Sequence, residues 1–142
     1  MTERVLCAVD LPHRADAVSI IQEASRQAEM RSGDLSVMTV IPDYGSSWVG
    51  SFFKDGTLKE AAAAASKLLH GIVDEALPGH GKVQHIVEIG NVYEAVLEEA
   101  RKIEATLVAV GAHKPDFVDA VMGPNASRVV RHSPVSVLVI RL

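Results

Sequence analysis

The chain has little of what usually betrays a function. It carries one cysteine in 142 residues, Cys7, so no internal disulfide can form and a reducing, cytoplasmic setting is expected. Because Cys7 lies inside an apolar run, it reads as a small core residue and not as a redox thiol. No apolar stretch approaches the roughly 20 residues needed to cross a bilayer. The opening Met-Thr-Glu-Arg leads straight into a strand pattern, with no signal peptide visible. Neither charge sign dominates: 14 Lys and Arg stand against 18 Asp and Glu, a net charge of −4, without the basic stripe of a general nucleic-acid binder. Walker, nucleophile-elbow and Cys-x-x-Cys patterns are all missing. His70, His80 and His85 fall at no metal-ligand spacing. No catalytic residue and no metal ligand is therefore nominated.

What is present is an orderly alternation. The chain is 48% hydrophobic and long enough for one self-supporting domain spanning 1–142. Val5 to Val9 is a short, nearly continuous apolar run, as expected of a strand buried on both faces. From about His13 to Arg31, Ala17, Val18, Ile21, Ala24 and Ala28 form a helical stripe that Ser32-Gly33 ends. Leu35 to Ile41 reads as a second strand and Leu58 to Leu77 as a helix stopped by Pro78-Gly79. Lys82 to Ile89 alternates as a strand, and Asn91 is placed to cap a helix over Val92 to Ile103. Thr106 to Val110, Ala126 to His132 and Val135 to Ile140 complete the series as strand, helix and strand. His132 then complements the C-terminus of its own helix.

Such alternation implies a doubly wound α/β fold, an open five-stranded parallel sheet in the order 3-2-1-4-5 with helices on both faces. A ligand crevice should open between the C-terminal ends of the first and fourth strands, where Asp10 and Gly111 sit. Asp10 reads either as a ligand contact or as a cap for the helix beginning near His13. Past Gly111 the chain runs through a polar loop to Gly123-Pro-Asn-Ala-Ser127 and a helix start. Backbone N–H groups at a helix start favour an anion, and glycine lets it approach closely, so a nucleotide phosphate is the first ligand to consider. Pro124 offers no N–H, but Gly123, Asn125, Ala126 and Ser127 do, and Asn125 and Ser127 add polar side chains. His113 and Lys114 lie in the loop, either approaching the phosphates or solvated.

Gly123 to Ser127, the ending Arg131-His-Ser-Pro-Val-Ser-Val-Leu-Val-Ile140, Leu6-Cys-Ala-Val-Asp10 and Met38-Thr-Val-Ile-Pro42 together resemble the universal stress protein family, in particular its small single-domain bacterial branch. The resemblance covers essentially the whole chain. It implies an ATP-binding regulatory protein, with or without Mg2+, that is at most a weak ATPase. It adds Val40, whose backbone would hold the adenine edge, and places Val9 and Met122 in the binding set. The family's ATP-binding pattern is Gly, two residues, Gly, nine residues, Gly, then Ser or Thr. This chain keeps Gly111, has Lys114 at the second glycine, reaches Gly123 one residue early and follows it with Pro124.

Aromatic residues are few, one Trp, two Tyr and three Phe, yet Tyr44, Trp48, Phe52 and Phe53 crowd into the glycine-containing segment 43–56. That segment reads as a lid over the base, a docking patch or an anchor into the core or a dimer. Some relatives with a similar stretch accompany transporters. A regulator of a membrane transporter, or a nucleotide-independent interaction module, is therefore the alternative function. Val135 to Ile140 is an apolar edge strand with nothing to block its middle. Family members commonly pair this strand with its copy, so a symmetric homodimer is expected, with a tetramer as a further assembly.

Overall fold

The computed structural model describes residues 2–42, 57–112 and 122–142, the side chains of 57, 58 and 122–124 excepted. Along the chain run β1 (Arg4–Ala8), α1 (Arg14–Met30), β2 (Asp34–Pro42), α2 (Thr57–Ala76), β3 (Gln84–Gly90), α3 (Val92–Lys102), β4 (Leu107–Ala112), α4 (Met122–His132) and β5 (Ser136–Arg141). The strands form one sheet in the order β3-β2-β1-β4-β5, and every neighbouring pair is parallel. The expected doubly wound sheet is the observed one.

The alternation of strand side chains sorts the core into two layers. On one face Val5, Cys7, Val9, Val37 and Ala109 pack against Ile20, Ile21 and Ala24 of α1 and Leu69, Ile72 and Val73 of α2. On the other, Leu6, Ala8, Met38, Val40, Ile86, Val108 and Val110 pack against Val92, Val96 and Ala100 of α3 and Ala126 and Val129 of α4. Strands covered on both sides bury successive side chains, which is why β1 after Arg4 and β4 read as nearly continuous hydrophobic runs. Cys7 is fully buried, and burial pushes its thiol up to about 12, so it is an inert core residue.

Helix ends follow local chemistry. Asn91 caps α3 through its side-chain oxygen, which accepts from the Glu94 N–H at 3.2 Å. At the end of α1 the left-handed residue is Ser32 (φ 52), not the glycine after it. The Ser32 N–H reaches the Glu29 carbonyl at 3.0 Å and the Gly33 N–H reaches Ala28 at 2.8 Å, which satisfies the last helical carbonyls. Gly33 is needed for a different reason: a Cβ there would lie 2.4 Å from the Glu3 carbonyl oxygen.

Two boundaries differ from expectation in ways that affect the site. β4 runs two residues past Val110, because Gly111 and Ala112 stay paired with Ile140 and Arg141 of β5. α4 begins at Met122, four residues before the expected Ala126. Gly123 and Pro124 look like helix breakers, but in a first turn the missing proline N–H has no helical partner to lose.

Candidate functional site

The crevice forms where β1 leaves the sheet before its neighbours do. β1 ends at Ala8, whereas β2 continues to Pro42 and β4 to Ala112. The last contact between β1 and β2 is the Val9 N–H donating to the Met38 carbonyl at 2.9 Å. The Thr39 hydroxyl then donates to the Val9 carbonyl at 2.8 Å. Alternate peptide groups of a strand face the same neighbour, so Val40 directs its N–H and C=O as Met38 does, toward β1. With β1 ended and the Val9 carbonyl bonded to Thr39, the Val40 peptide group faces the crevice. Its side chain points down into the core beneath α3.

Asp10 lies two residues beyond β1, half-buried, and its carbonyl accepts from the His13 N–H at 3.3 Å. The N-cap position of α1 is His13, with no side-chain cap bond. Asp10, His13, Asp16, Ala17, Ile20, Gly111 and Leu142 line one small depression at this end of the sheet. Asp16 and His13 are members that the sequence did not single out.

Gly111 has a packing reason to be glycine. A Cβ there would lie 2.6 Å from Ile20 Cδ1 and 2.8 Å from Leu142 Cδ1, both well inside ordinary contact. Leu142 is held in place as its N–H donates to the Ala112 carbonyl at 3.1 Å. Close approach of Ile20 on α1 and of Leu142 therefore crowds any side chain at 111.

At the start of α4, Ala126 is buried against the sheet and Ser127 is exposed. The Asn125 side-chain oxygen accepts from the Tyr93 N–H at 3.2 Å, tying the first turn of α4 to the first turn of α3. Asn125 thus has a structural task beside any ligand contact. Tyr93 is further held by Arg128, 5.7 Å from its ring centroid, and by the His132 ring at 5.8 Å. His132 occupies the last turn of α4, as expected. Met122 and Gly123 belong to the helical first turn. His113, Lys114 and the aromatic segment 43–56 lie outside the described residues.

Among the described residues the structure therefore brings Val9, Asp10, Val40 and Gly111 to one end of the sheet, the end from which β4 leads on toward α4. Two open depressions of about 430 and 570 Å³ lie elsewhere, around Arg4, Asp34, Lys82 and Val83 at the N-terminal ends of the strands. Open α/β sheets carry ligands at the carboxyl ends, so these two do not compete for that role.

A parallel sheet in this order, with a crevice at the β1/β4 switch point, defines a doubly wound open α/β class of protein. The sequence profile of the universal stress protein family matches residues 1–141, and the chain belongs to that family. It is 27% identical over 139 residues to universal stress protein G of Shigella flexneri, covering 94% of this chain and 98% of that one. A solved universal stress protein in complex with cAMP superposes with a TM-score of 0.69 at 18% identity, covering 99% of this chain and 97% of the other. The universal stress protein from Archaeoglobus fulgidus in complex with dAMP gives 0.59 at 21%, covering 97% of each. No helix among the described residues is long and apolar enough to cross a membrane.

Proposed function

We propose that this universal stress protein binds an adenine nucleotide, ATP by preference, at the carboxyl ends of β1 and β4 and acts as a nucleotide-dependent regulator. The observation that carries the reading is the Val40 peptide group. It faces the crevice beside Asp10 and Gly111, and its paired donor and acceptor match the edge of an adenine ring. The first turn of α4 supplies N–H groups and the positive end of a helix dipole for phosphate. The two relatives solved with cAMP and dAMP support an adenine ligand. For Mg2+, Asp10 and Asp16 line the same depression, and carboxylates are the hard ligands that this ion takes beside phosphates. Bound there, the ion would neutralise phosphate charge. Hydrolysis is slow or nil in this reading, since the sequence supplies no paired nucleophile and base.

The test is to release whatever copurifies with the protein by heat or acid and identify it, then titrate ATP with Mg2+ by calorimetry. Adenine nucleotide in the released fraction and binding lost in Gly123→Val support the reading. A native protein that takes up no nucleotide overturns it.

Assembly belongs to the same proposal. β5 is a sheet edge, and Val139 on it is 39% exposed, so a second copy pairing along β5 about a two-fold axis would cover both the unpaired backbone and the apolar side chains.

A further inference from the structure

Three histidines with no spacing relation in the sequence meet on the outer part of the α1/α2 face. His85, on the edge strand β3, stacks on His70 of α2 with ring centroids 3.6 Å apart and planes 12° apart. His80, in the turn between α2 and β3, has its ring 6.4 Å from that of His85. The Nε2 atom of His85 is buried and has no hydrogen-bond partner among the described residues. His70 Nδ1 lies 2.8 Å from the Ser66 carbonyl, so the stack also orients the outer side of α2.

We infer that this stack is an acid-sensitive latch between α2 and the sheet edge β3, closed when the rings are neutral and forced apart when both carry protons.

The physics rests on the geometry. Two imidazoles 3.6 Å apart share the stack readily while at most one is charged; two imidazolium ions at that distance repel, and on the His85 side the ring is half-buried. The buried Nε2 adds to this, because protonating it would place an N–H with no acceptor. Burial first, and then the nearby His70 and His80, hold the His85 imidazole below its usual range. The charged surroundings do not cancel the effect. From α2, Asp74 faces the cluster, but its carboxylate is bonded to His80 Nε2 at 2.9 Å. From the turn, Val83 offers a backbone hydrogen bond to His85. On the sheet side the register neighbour of His85 is Val37, which cannot titrate. Glu29, Asp34 and Lys82 line the depression beside His80, so opposite signs meet there. Stacked rings also keep their in-plane lone pairs in nearly parallel planes, which suits a proton switch better than a shared metal ion.

His80 works in the opposite sense. Its backbone bond to Gly81, then its bond to Asp74, raise its affinity for a proton, so it is charged first as pH falls and adds its field to the stack. Acidification would therefore loosen the C-terminal half of α2 from β3, the sheet edge opposite β5. This inference does not depend on the nucleotide reading.

The test follows the histidine ring protons by NMR from pH 7.5 to 5, with hydrogen exchange of the α2 amides corrected for intrinsic rates. His85 should titrate last of the three. Protection of amides 66–77 should fall at least about tenfold relative to α3 as pH drops. His85→Phe keeps a flat ring in the stack and should abolish this selective loss. His70→Ala, which removes the stacking partner on α2, should move the His85 titration up toward free imidazole. The idea is overturned if His85 titrates with or before His70, or if His85→Phe loses α2 protection on acidification as the native protein does.

Discussion

Gly111→Ala separates two reasons for a glycine at the heart of the site. The added methyl would sit 2.6 Å from Ile20 Cδ1 and 2.8 Å from Leu142 Cδ1, more than half an ångström inside normal contact. Both obstacles are the ends of side chains that can rotate, so the cost should fall in the lower part of the overpacking range, about 1–2 kcal/mol. For a chain of this size that lowers the melting temperature by roughly 3–6 °C. Ile20→Val removes the offending Cδ1 at a cost of its own of about 1 kcal/mol. If packing is the reason, the double variant should be more stable than the sum of the two losses by about 1 kcal/mol, a coupling expected only of touching groups. Urea unfolding of the native protein, both single variants and the pair measures this directly. Nucleotide titration of the pair then asks the second question. If the ligand also needs bare backbone at 111, affinity stays low after stability is restored. A Gly111→Ala protein within 0.5 kcal/mol of native, or strict additivity in the double variant, would refute the packing argument.

Three further outcomes are expected. Pro124→Ser restores an N–H and a hydroxyl at the first turn of α4, and at about 1 kcal/mol per hydrogen bond ATP should bind five- to tenfold tighter in calorimetry, with unchanged affinity meaning that the fixed φ matters more. Val137→Pro removes an N–H from the middle of β5 and should turn a dimer in sedimentation into monomer or precipitate; a native protein that is already monomeric at micromolar concentration contradicts the assembly. Glu99 is a buried residue of α3 with its carboxyl held above the usual range, by burial first and with Lys102 3.9 Å away as partial compensation. A raised carboxyl favours the folded state increasingly as pH falls, so Glu99→Gln should match or exceed native stability at pH 7 and lose that advantage toward pH 4.5; clear destabilisation at pH 7 would show the charge to be useful.

The order of the sheet and the place of the crevice were readable because they depend on patterns that survive in one dimension. β1 and β4 are apolar at successive positions since both faces are covered, and the edge strand β3 is more mixed because its outer side is not, whereas the edge strand β5 keeps an apolar run. Asn91 announced a helix start, and it caps one. The start of α4 was not readable: Gly123 and Pro124 break a helix in its middle and are tolerated in its first turn, and only the three-dimensional boundary tells which applies. The left-handed turn at Ser32 was hidden for a similar reason, since the neighbouring glycine attracts the inference while serving the contact with Glu3.

The parts of the site divide along the same line. Asp10 and Gly111 could be found because topology assigns chemistry to strand ends, whatever residue stands there. Thr39 left a weak trace, one of two buried hydroxyls in β2 beside Ser36, and its hydroxyl bonds the Val9 carbonyl next to the Val40 peptide. Val40 itself leaves none, because a backbone contact makes no demand on the side chain; its valine is explained wholly by the core beneath α3. His70 and His85 show the other limit. Each is separately an unremarked residue on a helix or a strand, and only the parallel return of β3 beside β2, which brings β3 under α2, turns them into a stacked pair. A group that acts through position in the fold is legible from sequence once the topology is known, whereas one that acts through a contact between elements becomes visible only when those elements are packed.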